Sequence, residues 1–162
     1  MTTSAVVQTF LFIHLGVLLV VPAYCALGAA LAPSFTAAGA RRFAARPWKA
    51  ALWGLALSAP WVGAAIFLLN RDAGGLKFAG AVLGCLWVVC GLFGGSGAAL
   101  HLGRSGNGRS APWIQSARGG ALVALTWFLP LAGWFGLLPL SLATGVGCGF
   151  LALRNKAAAH AA

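Results

Sequence analysis

Acidic residues are almost absent from this chain: Asp72 is the only Asp or Glu among 162 residues. Several chemistries need more than that. Paired-carboxylate hydrolysis takes two acids, and oxygen-ligand Ca²⁺ and Mg²⁺ sites lean on carboxylates. Intramembrane proton relays commonly run through Asp or Glu. One acid assembles none of these, so a partner subunit would have to supply the rest. Charge of either sign is scarce, at 7% of residues against about 25% in a typical soluble domain. Cys25, Cys85, Cys90 and Cys148 include no Cys-x-x-Cys pair. Cys85 and Cys90 stand about 140° apart around a helix, which points to small apolar core residues rather than a zinc or redox site. No nucleophile elbow, zincin motif or phosphate-binding loop occurs, and Gly94-Gly95-Ser96-Gly97 is not a Walker sequence. The expectation is a protein that is not an enzyme and has no metal or cofactor of its own.

What fills the chain instead is apolar: 60% hydrophobic residues and a mean hydropathy of +0.90. Residues 1–40, 50–70, 78–103 and 119–153 carry no Lys, Arg, Asp or Glu. About 20 apolar residues in a helix cross a hydrocarbon core roughly 30 Å thick. The expected fold is therefore an all-α integral membrane protein, a single polytopic domain over 1–162. Its four transmembrane helices, at about 6–31, 50–70, 78–102 and 119–153, form a bundle of two antiparallel hairpins. The N-terminus lacks a basic region before its apolar run, Ala30-Leu31-Ala32 alone is a weak cleavage signal, and Tyr24 is bulky for a lipoprotein site at Cys25. Residues 6–31 read as a retained first span. The last stretch would make a helix about 52 Å long, with Pro130 and Pro139 inside it. It is expected to be a single long, Pro-kinked, tilted helix, or else a span ending near Pro139 followed by an interfacial segment.

Eleven Lys and Arg give a net charge of +10, and their placement at span edges points to anionic lipid headgroups rather than nucleic acid. Arg41, Arg42, Arg46 and Lys49 lie between the first two spans, and Arg104, Arg109 and Arg118 between the last two. Arg71 and Lys77 flank a tight turn through Ala73-Gly74-Gly75, and Arg154 and Lys156 follow the last span. The positive-inside bias then puts loops 32–49 and 103–118 in the cytoplasm and both termini outside. Usage rich in Ala, Gly and Trp and poor in Lys suggests a bacterial inner membrane. Pro47-Trp48 and Pro112-Trp113 each stand directly before a span, where Pro suits a first helical turn and Trp48 and Trp113 serve as interface anchors. The two either arose independently or mark a duplicated hairpin.

Gly80, Gly84, Gly91 and Gly95 fall on one face of the third span, and Ala50, Gly54 and Ser58 repeat at i+4 in the second. Both fit the small-xxx-small pattern that lets helix backbones approach. They read as internal helix-packing seams, foremost between spans two and three, with docking of another subunit as the alternative. His14 is the only histidine deep in a span, a weak cofactor-binding candidate because intramembrane ionisable groups are costly. Its depth differs from that of His101 by roughly 20 Å, too far for both to hold one haem. Trp127 and Trp134 share a helical face, and Arg42, Arg46 and Lys49 follow a basic stripe at i, i+4, i+7.

The run Leu129-Pro130-Leu131-Ala132-Gly133-Trp134-Phe135-Gly136-Leu137-Leu138 resembles membrane segments that accompany bacterial bactofilin-type, polymer-forming cytoskeletal proteins. The resemblance covers about ten residues, and it implies a membrane anchor or scaffold for an assembly, without a polymer-forming β domain in this chain. The function expected is a non-enzymatic scaffold, anchor or accessory subunit of a larger membrane complex, held by other membrane subunits or by self-association. The alternatives are a small oligomeric transporter or channel component with His14 and Asn70 as polar lining, and third a haem- or quinone-binding electron-transfer subunit.

Overall fold

A residue before proline is pushed out of the α region, and this rule sets three of the helix boundaries. Ala32, Arg46 and Ala111 all leave helical geometry, with ψ of 64°, 78° and 148°, and a proline opens the next helix each time. The computed structural model describes residues 2–104, 110–129 and 131–160, with side-chain surroundings for 4–104, 110–129 and 131–154. It is helical throughout: α1 Thr2–Leu31, α2 Pro33–Ala45, α3 Pro47–Leu69, α4 Gly74–Gly103, α5 Pro112–Thr126, a π-helical segment Ala132–Leu137, and α6 Leu138–His160. Four helices are long and apolar enough to cross a membrane: Ser4–Leu31, Pro47–Leu69, Gly74–Gly103 and Ala132–Arg154.

Two stretches differ from the sequence expectation. The segment 32–49 is not a loop but contains α2, a 13-residue amphipathic helix. Thr36, Gly39 and Ala40 are its buried face, and Arg41 and Arg42 lie on the exposed one. The stretch 119–153 is not one long kinked helix. α5 ends at Thr126, and Trp127 and Phe128 close a tight turn by donating to the Ala124 and Leu125 carbonyls. Fifteen residues span about 22 Å, so α5 is short of a crossing. Pro139 directly follows the π-helical segment Ala132–Leu137 inside a helical run that continues into α6, and the wider turn there, with the Leu138 N–H donating to the Gly133 carbonyl, shifts the hydrogen bonding beside the proline. Pro130 lies outside the described residues.

α4 is the hub. It is the one helix packed against all of the other five. Along α3 it runs antiparallel: Gly80 meets Ala65 and Leu69, Trp61 Nε1 donates to the Leu83 carbonyl at 2.9 Å, and Trp87 Nε1 donates to Ser58 Oγ at 2.9 Å. Along α5 it is also antiparallel, with Gly103 on Gln115 and Gly119 on Ala99. Along α6 the contacts advance together, from Gly91 on Leu142 to Gly94 on Gly145 and Gly149. α6 is therefore parallel to α4, and so is α1, because both α1 and α4 run opposite to α5 (Gly120 meets Pro22 and Cys25).

These directions correct the picture of two antiparallel hairpins with both termini on one side. The start of α1 and the end of α6 lie at opposite ends of the bundle. Gly91, where α6 meets α4, is seventeen residues along that helix, about 25 Å from its start. Phe128, after the end of α5, lies beside His14 partway along α1, and both α5 and α6 point their other ends toward the end where Gly103 lies. Val21, Cys25, Leu92, Ala99, Ala124, Trp127 and Leu142 form the core where α1, α4, α5 and α6 meet.

Among these helices the glycine positions separate sharply. A Cβ at Gly54 or Gly94 would stand against the backbone carbonyl of Ala143 or Gly145, whereas one at Gly84 meets nothing within 4 Å. Gly54→Val and Gly94→Val are expected to lose about 3 kcal/mol or more of stability, and Gly84→Val to stay near wild type. Heating in mild detergent followed by size exclusion reads the difference, and equal losses at all three positions would contradict this packing.

Candidate functional site

Charge is segregated along the bundle axis. Arg41, Arg42, Arg46 and Lys49 on α2 and α3, Arg104 after α4, Arg118 on α5 and Arg154 on α6 belong to one end. Arg71, Asp72 and Lys77 belong to the other, around the α3–α4 turn. There Arg71 lies 4.1 Å over the Phe67 ring. Arg109 lies outside the described residues.

At the basic end α2, α3 and α6 flank an open cavity of about 540 Å³ lined by Arg42, Ala45, Arg46, Lys49, Trp53, Leu151 and Arg154. The break at Arg46, φ −152° and ψ 78°, turns α3 back from α2. Arg42 and Arg46, one helical turn apart, then line the same space as Lys49. Parallel placement of α6 alongside α4 brings Arg154 to the same cavity. None of the four side chains makes a hydrogen bond or ion pair among the described residues. The Trp53 ring stacks near Phe150, centroids 5.6 Å apart, and forms the apolar wall.

A second cavity, about 220 Å³, lies in the gap between α5 and α6 over the α4 face carrying Gly91, Gly95 and Ala99. Its lining is apolar apart from Thr126, Ser141 and Thr144, and Trp127 Nε1 donates to Ser141 Oγ at 3.1 Å. Nearby, a buried polar junction ties four helices. Thr36 Oγ1 donates to the Gly28 carbonyl and lies 3.1 Å from Ser96 Oγ. Ser116 Oγ is within 2.9 Å of the Cys25 carbonyl and 3.1 Å of the Ser96 carbonyl. Sequence inspection did not single these three residues out. Their signal is polarity within an apolar run (Ser96) or on the small face of an amphipathic helix (Thr36, Ser116).

His14 is buried at the α5–α6 turn. Nδ1 donates to the Phe10 carbonyl at 2.7 Å, and the ring sits 3.8 Å from Phe10, 4.8 Å from Phe128 and 5.9 Å from Trp134. His101 instead faces Phe43 at 5.8 Å, and no group of three metal-ligating residue types gathers among the described residues. Asn70 caps α3 through a bond to the Ile66 carbonyl, and the structure does not bring it to His14.

Of the glycines grouped in the sequence, Gly80 approaches α3 and Gly91 and Gly95 approach α6. Gly84 approaches nothing, because its side of α4 is open there. Gly54 abuts Ala143 of α6, a seam the sequence assigned foremost to spans two and three. Ser58 is buried and takes the Trp87 bond. Trp48 and Trp113 are exposed in the first turns of α3 and α5.

The chain matches no family model, no curated protein and no solved structure.

Removing the junction hydroxyls tests the joint. Thr36→Val, which keeps the shape, and Ser116→Ala are each expected to cost about 1 kcal/mol. Unfolding in mixed micelles measures the loss, and no change in either variant would mean the hydroxyls do not join the helices.

Proposed function

We propose that the protein is a non-enzymatic, multi-pass inner-membrane scaffold or accessory subunit of bacterial type, whose basic end faces the cytoplasm and engages anionic lipid and partner subunits. The observation that carries this reading is the segregation of charge. Seven described cations sit at one end, against two cations and the only acid at the other. A juxtamembrane Lys or Arg gains about 1 kcal/mol near an anionic surface, so the gradient favours one orientation strongly.

In this reading α1 runs outside to inside, α3 returns, and α4 crosses back. α5 and α6 then enter from the cytoplasmic side and return to it as a re-entrant pair. At this reversal Trp127 is buried and Phe128 packs against His14 on α1. The N-terminus is outside and the end of α6 inside, which puts Arg154 on the cytoplasmic side with the other cations. The short resemblance to membrane segments of bactofilin-type systems supports an anchoring role in an assembly.

Two measurements test the proposal. With the four native cysteines replaced by alanine, Ser4→Cys should react with a membrane-impermeant maleimide from the periplasmic side, and Arg118→Cys and Arg154→Cys only from the cytoplasmic side. Labelling of Arg154→Cys and Ser4→Cys from the same face would refute the re-entrant topology. Mild cross-linking in native membranes should yield complexes larger than one chain, and recovery of the lone monomer alone would sink the scaffold reading.

A further inference from the structure

The cavity between α2, α3 and α6 has a property that the basic end as a whole does not. Arg42, Arg46, Lys49 and Arg154, all exposed, line one open cavity from α2, the first turn of α3 and α6. No Asp or Glu side chain compensates them, because Asp72 follows α3 at the opposite end of the bundle. Four uncompensated cations around one cavity focus positive potential there and favour an anion in it. The first turn of α3 also borders the cavity, with Arg46 at its cap and Lys49 within that turn. A helix N-terminus adds partial positive charge there.

The other wall sets the kind of anion. Trp53, stacked near Phe150, and Leu151 line the side that continues into the apolar part of α3 and α6. A free inorganic anion would gain nothing from that wall. A lipid headgroup would, since its phosphates meet the cations while its glycerol and first methylenes meet the indole and the leucine. One monoanionic headgroup leaves three cations unpaired, and two linked phosphates leave fewer while still fitting a space of about 540 Å³. Arg can hold a phosphate through two parallel N–H donors, and three of the four cations are Arg.

We infer that the Arg42–Arg46–Lys49–Arg154 cavity is a specific binding site for a two-phosphate lipid of the diphosphatidylglycerol class. This rests on the reading of the basic end as the lipid-engaging face, and it narrows that reading from a diffuse surface to one pocket.

The test uses the full chain in neutral detergent, titrated with diphosphatidylglycerol, phosphatidylglycerol or phosphatidylcholine and read by native mass spectrometry. One diphosphatidylglycerol should bind at least about tenfold more tightly than phosphatidylglycerol. The Arg42→Gln/Arg154→Gln pair should weaken that binding about tenfold or more. Arg104→Gln/Arg118→Gln, at the same end but outside the cavity, should leave it unchanged, with both variants melting like wild type. Equal loss in the two pairs overturns the pocket, as does displacement of the lipid by inorganic pyrophosphate at similar concentration, which would make the ligand a soluble phosphate. Equal affinity for diphosphatidylglycerol and phosphatidylglycerol overturns the two-phosphate assignment while the anionic-face reading stands. Failure of both to exceed phosphatidylcholine removes that reading as well. If the Arg42→Gln/Arg154→Gln pair does not fold, Lys49→Gln alone carries the comparison, with the same outcomes.

Discussion

Everything in this bundle depends on how near α4 lets other backbones come. In lipid the exclusion of water no longer drives helices together, so association rests on van der Waals packing and on hydrogen bonds between helices. Both fall off steeply with distance. α4 meets this constraint with glycine at four of its five crossings, Gly80 for α3, Gly91 and Gly94 for α6, Gly97 for α2 and Gly103 for α5, while at the fifth Gly28 of α1 abuts Ser96. At Gly97 and Gly103 the nearest atoms a side chain would meet are main-chain atoms of the neighbour. One helix can serve five partners because it carries almost no side-chain bulk at the crossings.

Close backbones make short polar side chains effective. Serine and threonine hydroxyls reach a carbonyl on another helix only when the two axes are near, and Ser116 reaches carbonyls on two. Ser96 and Thr36 complete that junction beside Gly28, which itself abuts Ser96. The joint holds the α1–α2 corner against α4, and that placement turns α2 so that its arginines come round toward α3 and α6. The basic cavity is in this sense a product of the packing above it: the cations are ordinary interfacial residues until the corner is fixed.

The parts of this architecture legible in the sequence are those governed by local rules. Pro47 and Pro112 open helices because a proline excludes the preceding residue from the α region, and the apolar runs mark four crossing-length helices because a segment that long and that apolar suits a hydrocarbon core. Two other features escape such rules. α2 hides because Arg41 and Arg42 break the apolar run while Gly39 and Ala40, invisible to hydropathy, carry its buried face. The reversal after Thr126 hides because Trp127 and Phe128 are as apolar as a helix interior, so the stretch 119–153 shows no polar punctuation. Glycine spacing shows that a face is approached closely but not by which helix, and so the partner of Gly54 emerged only with the fold. For the site, the four cations were individually visible, but their meeting depends on the parallel course of α6, which no local signal records.

The hub position of α4 has a consequence for how the chain is made. Its contacts with α1, α2 and α3 can form while α4 itself is being threaded into the membrane, since those helices precede it in synthesis. The grooves at Gly91, Gly94 and Gly103 must wait for α5 and α6, which follow α4 in synthesis. Until then a strip of bare backbone faces lipid in an otherwise inserted protein. A nascent chain stalled before Gly145 would therefore keep that strip uncovered, which distinguishes an unfinished molecule from a complete one for any machinery that inspects membrane proteins by their exposed backbone.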